Sequence, residues 1–383
     1  MKVLAVIENI SDEYGGPANS LPSLLHSLRK NNGLDSCIYS VKLKNDEKNT
    51  IIKQEGLNWK SYKLIGPRKL MFSPGLIWGV YKDIQSDDVI FSNNLWNFAA
   101  FASYALSRIL KVQHIVSVRG SLYPWSLKQG AIRKKIIWKL FQFRALQNAS
   151  FIHVTCKEEY DAVRSLGIDA PIEIIPHGVK YEDFQDLPDL LSATKELSLP
   201  EGKKFLLFIS RLHKKKGLDL LLDVWPQIVA QHPDWCLVIS GPDYENYSQK
   251  ISKLIENESL SDSLVYTGML SGWRKDCAFA CANGFVLPSY TENFGVVIGE
   301  ALAAGIPTIT THGTPWQDIS TYDCGWYIET SRSNLIEAIK ELISSSEGEL
   351  ALKGERGKKL IRDKYSWDSK SDSFFEVLNH YSL

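Results

Sequence analysis

At 383 residues, with 44 basic against 44 acidic side chains, the chain is too long for one ordinary core and reads as two domains. A hydrophobic fraction of 44% with 23% charged residues is that of a globular protein, and the balanced charge with no recognised binding module disfavours a nucleic-acid partner. The charge is unevenly placed: residues 1–180 hold 24 basic and 15 acidic side chains and residues 181–383 hold 20 and 29, so the halves have different electrostatic duties.

Apolar strand-like runs alternate with helical patterns at 3–7, 88–92, 114–118, 151–155 and 172–175, then at 205–209, 236–240, 264–267, 284–287 and 306–310. This alternation predicts an α/β protein of two Rossmann-like, doubly wound parallel-sheet domains facing across a cleft. Periodicity lapses between 179 and 202, where Asp, Pro and Ser accumulate, which marks the boundary. The run Val3-Leu4-Ala5-Val6-Ile7 before Glu8 is too brief for a signal-peptide core and is expected to be the first strand. The longest membrane-span candidate, 98–110, is interrupted by Ser103, Ser107 and Arg108. Cysteines 37, 156, 236, 277, 281 and 324 are scattered, which predicts reduced thiols in a cytoplasmic protein and no zinc site.

Three stretches carry chemistry. Tyr14-Gly15-Gly16-Pro17 follows the first strand, where glycines let backbone approach a ligand or merely ease a turn. No G-x-G-x-x-G follows that strand and no P-loop occurs, so dinucleotide oxidoreductases and P-loop NTPases lose support. Ser210-Arg211-Leu212-His213-Lys214-Lys215-Lys216-Gly217 follows a strand and offers the fork of Arg211 and the point charge of Lys216 to a diphosphate; a solvated basic turn is the plainer reading, and suits Lys214 and Lys215 better.

The third stretch is the run from Glu292 through Asn293, Phe294, Gly295, Val296, Val297, Ile298 and Gly299 to Glu300, after the strand-like Gly284-Phe285-Val286-Leu287-Pro288-Ser289. Helix composition over 294–304 places the amides of Phe294 and Gly295 in a first turn suited to phosphate, with Glu300 about two turns beyond Glu292. Glu292 also reads as a helix-start acid favoured by the dipole, and Glu300 as a solvated helix residue. The apolar stretch Ala301-Leu302-Ala303-Ala304-Gly305-Ile306-Pro307 argues against bulk water around Glu300.

Taken with Ser240-Gly241-Pro242 and Tyr365-Ser366-Trp367, these motifs run in order along nearly the whole chain, which resembles the retaining glycosyltransferases of family 4, with the GT-B fold. The resemblance implies a hexose-type donor, UDP- or GDP-linked, whose sugar is transferred with retention and without an obligatory metal. It implies donor binding by Gly15, Gly16, Gly241, Asn293, Phe294, Gly295 and Glu300, with Glu292 on sugar hydroxyls and Arg211 and Lys216 on the diphosphate. It also implies that the last helix crosses back, giving an acceptor-binding domain of 1–180 plus 366–383 and a nucleotide-sugar domain of 181–365. No D-x-D spacing occurs, in accord with the absence of a metal-bound nucleotide.

One departure concerns Val118-Arg119-Gly120-Ser121, where many family members place a histidine near the sugar. The Arg-Gly version resembles the subset that builds bacterial surface polysaccharide such as O-antigen, capsule or exopolysaccharide. Arg119 then serves donor phosphate or acceptor, or is a loop arginine paired with a local acid. His177-Gly178 reads as a hinge turn and His153 as a core residue. Residues 128–144 carry six cations and no acid among Trp138, Phe141 and Phe143. They read as an amphipathic helix that either packs on the sheet or lies on anionic lipid near a lipid-linked glycan acceptor, making the enzyme peripheral to the membrane. A nucleotide-sugar epimerase and a non-catalytic nucleotide-sugar-binding protein are the rival readings.

Overall fold

Val3 to Ile7 are wholly buried because a parallel strand covered by helices on both faces has no solvent side. In the computed structural model, which describes all residues except Asp12, Glu13, Gly15, 44–47, Ser259 and Leu383 and the side chains of Lys69 and Glu258, the chain divides into two units. The first comprises Met1–Gly178 and Trp367–Leu383, and the second Val179–Ser366.

The first unit holds β1 (Lys2–Ile7), β2 (Asp35–Lys42), β3 (Asn58–Lys63), β4 (Val89–Asn93), β5 (Gln113–Ser117), β6 (Phe151–Val154) and β7 (Ile172–Ile174). They pair in parallel in the order β3-β2-β1-β4-β5-β6-β7. The second holds β8 (Lys204–Ile209), β9 (Trp235–Ser240), β10 (Leu264–Tyr266), β11 (Ala282–Leu287), β12 (Thr308–Thr311) and β13 (Gly325–Ile328), parallel in the order β10-β9-β8-β11-β12-β13. Both are doubly wound Rossmann-like sheets. Strand order reverses between β1 and β4 and between β8 and β11, the points at which open α/β sheets leave a crevice at their carboxyl ends.

Strands β2, β3 and β13 were not expected from the sequence. β2 places serines at buried positions, and buried Ser40 is satisfied by Trp59 Nε1 of β3 at 2.8 Å. β3 and β13 are edge strands without a fully buried residue, so neither carries an apolar run. The boundary stretch is also less irregular than its composition implies: Leu190–Glu196 is helical, and Ala193, Leu197 and Leu199 join the core of the second unit.

In the first unit, helix Gly16–Asn32 continues through Pro22, whose missing N–H would strand the Ala18 carbonyl. Asn49 Nδ2 fills it at 2.8 Å and also donates to Ile10 O at 2.7 Å. The last helix, Trp367–His380, closes the same face, with Phe374 fully buried and ring centroids 5.2 Å from Phe91 and 6.1 Å from Phe151. The chain passes between the units twice, and Val179, just after the first crossing, bridges Ser366, just before the second.

Candidate functional site

The loops after β8 and β11 flank the switch point of the second sheet, and backbone contact locks them together. Gly217 ends the short turn Lys214–Lys216 at φ +71°, and a Cβ there would lie 2.0 Å from the Pro288 carbonyl oxygen. Only glycine allows both the left-handed turn and this approach. Tyr290 N donates to Lys215 O at 2.8 Å, and Glu292 N donates to Gly313 O, in the loop after β12, at 2.8 Å.

This frame brings Lys216 and Glu292 together. The ammonium donates to Glu292 Oε1 as an ion pair, and Ser289 Oγ donates to the same oxygen at 3.1 Å. Their side chains are only 14% and 10% exposed, so the pair is largely withdrawn from water and each charge depends on the other. Arg211, at the end of β8, is exposed and makes no hydrogen bond or ion pair among the described residues. Gly241, after β9, approaches this loop so closely that a Cβ would fall 1.7 Å from Ser210 O.

The helix after Glu292 starts later than expected. It spans Val296–Ala303, with Gly295 as its left-handed N-cap at φ +75°. Its first-turn amides therefore belong to Val296 and Val297 rather than Phe294 and Gly295, and Glu300 lies little more than one turn in, not two. Phe294 turns into the core, where its carbonyl accepts from Trp316 Nε1 at 2.5 Å and its ring lies 5.0 Å from that indole. Asn293 is half-buried. Glu300 is gripped by Lys275 at 2.7 Å, a residue the sequence did not single out because helix Trp273–Cys281 carries no motif around it.

In the first unit, Gly16 opens helix Gly16–Asn32 and is exposed, while its partner in the expected loop, Gly15, lies outside the described residues. Arg119, at φ +46°, sends Nε and Nη2 to Asn93 Oδ1 at 3.0 and 2.8 Å and Nη1 to Ser20 Oγ at 2.8 Å. Its hydrogen-bond acceptors are thus neutral. The nearby acid, Glu159, accepts instead from Gly120 N and from Thr155 N and Oγ1. Burial lowers the Arg119 pKa to about 10, opposed by the charge of Glu159. His153 donates from Nε2 to Ile175 O at 2.8 Å and accepts from Ser117 Oγ at 3.0 Å, and burial lowers its pKa to about 4. His177 is likewise held neutral by burial, next to the positive Arg119.

Sequence reasoning passed over Glu8, immediately after β1 at the other switch point. Its oxygens accept from Tyr14 OH and Asn97 Nδ2, and Asn94 Nδ2 donates to that Tyr14 oxygen at 3.0 Å. Burial raises its pKa to about 7, against the Asn97 hydrogen bond and the charge of Arg133. An acid directly following the first buried strand was the available signal. Among the described residues, no three His, Cys, Asp or Glu side chains gather as metal ligands.

Comparison with known proteins gives a match in each unit. Residues 14–183 match the family model described as Glycosyltransferase Family 4, and residues 192–360 the one described as Glycosyl transferases group 1. The chain is 26% identical over 160 residues to the lipopolysaccharide core biosynthesis mannosyltransferase LpsB of Rhizobium meliloti, covering 40% of this chain and 44% of LpsB. It is 28% identical over 228 residues to a GDP-mannose-dependent monoacylated alpha-(1-6)-phosphatidylinositol monomannoside mannosyltransferase of Corynebacterium glutamicum, covering 56% and 58%. These alignments span about half the length of either relative. The crystal structure of Anabaena Alr3699/HepE in complex with UDP-glucose superposes with a TM-score of 0.77 at 17% identity, covering 99% of this chain and 100% of that one, a likeness of fold. Each of the two Rossmann-like units thus matches one glycosyltransferase family model, and the chain shares the GT-B fold and is related to both families.

Proposed function

We propose that the protein transfers a hexose-type sugar, with retention, from a UDP- or GDP-sugar to a hydroxyl of a lipid-linked glycan in bacterial surface-polysaccharide assembly. The observation that carries this reading is the Lys216–Glu292 pair, held where strand order reverses by loops that only glycine allows to meet. The second unit takes the donor. Its ammonium is shared between Glu292 and the diphosphate, Arg211 adds a second cation, and Glu292 and Glu300 accept from sugar and ribose hydroxyls. As the bond from the anomeric carbon to the β-phosphate oxygen breaks, its electron pair remains on the diphosphate, where the cations stabilise it. The acceptor oxygen attacks from the leaving-group side and passes its proton to that phosphate.

The first unit takes the acceptor, with Gly15 and Gly16 contributing to donor binding and Arg119 contacting donor phosphate or acceptor. The surface-polysaccharide role draws on the Arg119-Gly120 sequence and on LpsB. Both nucleotides stay in the proposal, because UDP-glucose accompanies HepE and GDP-mannose is named for the Corynebacterium glutamicum relative.

The test is donor turnover with lipid-linked glycan acceptors, after a thermal-shift screen of nucleotide sugars. Lys216→Ala and Glu292→Ala are each expected to reduce kcat/KM by about 10²-fold or more while the circular dichroism spectrum is kept. Full turnover by both variants with every donor bound by the wild type overturns the site, and a product anomer opposite to the donor's overturns retention. Donor isomerised without acceptor favours an epimerase instead.

A further inference from the structure

From residue 89 to 157 the chain carries ten Lys or Arg and no Asp or Glu. Within this window the segment 128–144 is not the single amphipathic helix its composition suggested. Helix Pro124–Lys128 stops before a left-handed Gly130, helix Ala131–Ile137 runs into a π-turn over Trp138–Gln142, and Phe143–Gln147 is helical again. The aromatic side chains expected at a lipid surface are half-buried and pack on other rings. Trp138 lies 6.1 Å from Trp96 and 5.6 Å from Phe143, and Phe141 meets Phe101 at 5.3 Å. Lys134 is buried too, donating to Ser126 O at 2.6 Å with its ammonium 5.4 Å from the Trp96 ring.

The most exposed apolar side chains of the segment are aliphatic. Ile132, Ile136 and Leu140 recur every four residues along one line and are 80%, 54% and 67% exposed. Lys135 and Lys139 beside them are exposed as well. Through the Phe101–Phe141 contact the row adjoins helix Phe98–Leu110, whose Phe101 and Ile109 are also exposed. Scattered exposed apolar residues need no explanation, but a regular row flanked by cations does.

We propose that this face docks on a membrane containing anionic lipid, with Ile132, Ile136 and Leu140 entering the boundary between headgroups and acyl chains and Lys135 and Lys139 meeting lipid phosphates. Charge decides the occupant: a second copy related by two-fold symmetry would set cation against cation, whereas an anionic leaflet complements a window without acids. Shape agrees, because the row is only about 12 Å long, a ridge that a soft apolar phase accommodates and that is small for a stable protein interface. The proposal deepens the lipid-linked acceptor reading, on which it rests for its purpose but not for its geometry.

The experiment is flotation of the full chain with vesicles of phosphatidylcholine alone or mixed with phosphatidylglycerol, at low and high salt. Wild type is expected to float with the anionic vesicles only, and less at high salt. Ile136→Ser/Leu140→Ser should lower partition about tenfold or more, and Lys135→Gln/Lys139→Gln about fivefold per lysine. Equal flotation with neutral and anionic vesicles, no flotation of wild type, or undiminished flotation of the serine variant each overturns the proposal. So does a lipid-free dimer that the serine variant dissociates. Turnover with a water-soluble acceptor separates the two readings: surface variants that turn over normally but fail to float support docking, whereas flotation that depends on the row, in a protein with no transfer activity, leaves docking standing and removes the transferase reading.

Discussion

Lys216 and Glu292 form a pair in which either charge alone would be poorly solvated, so single variants at these positions test chemistry and local integrity together. Lys275 differs: it reaches Glu300, proposed above to hold the ribose, so Lys275→Ala is expected to raise the donor KM several-fold with little change in kcat, the signature of binding lost equally from ground and transition states. Glu8 supplies a pH dependence. Its folded pKa, about 7, lies above the ordinary carboxylate value, so the folded state holds a proton that the unfolded state releases. The stabilisation is complete below the unfolded pKa and is lost as pH rises through about 7. Thermal melts across this range should show Glu8→Gln gaining on wild type as pH increases, and parallel curves would contradict the assignment. The principal charges of the candidate site, Lys216 and Glu292, were legible because they sit in ordered motifs at strand ends. Lys275, Ser289 and Glu8 were not, because a Lys on a helix without a motif, a Ser after Pro288 and an acid after β1 acquire meaning only when the fold supplies their partners.

Strands were legible where burial coincided with an apolar run, and buried β2 was missed because Ser36 and Ser40 interrupt its run. β4, β5, β6, β8, β9 and β11 announce themselves as apolar runs because covered parallel strands can bury every residue, whereas β3 and β13 lie at sheet edges and lack that constraint. The helix after Glu292 began two residues late because Gly295 takes the left-handed cap, a conformation that composition does not distinguish from an ordinary first turn. Likewise, the ring contacts of Trp138 and Phe143 sit at a π-turn that shifts the helical phase, which composition does not announce. Helix Gly16–Asn32 offers a test at this scale. Asn49→Ala strands the Ala18 and Ile10 carbonyls and is expected to cost about 1–3 kcal/mol, lowering Tm by several degrees in calorimetry. An unchanged Tm would mean that water serves those carbonyls equally well.

For the whole molecule, the doubly wound order of each sheet followed from alternation in the sequence, while the return of Trp367–His380 to the first unit was expected only from the family resemblance, since nothing in its amphipathic pattern says which sheet it covers. Removing 367–383 should expose Phe91 and Phe151, so limited proteolysis is expected to degrade the first unit while leaving a protected fragment near 179–366. Equal resistance of both units would show that the helix is dispensable. The same helix sets an order of events during synthesis. The first unit leaves the ribosome first yet lacks one wall until residues 179–366 have been translated, which at about 5–20 residues per second is a delay of roughly 10–40 s. During that interval Leu21, Phe91 and Phe151 offer nascent-chain chaperones a sticky surface, so the half of the protein made first is the last to mature.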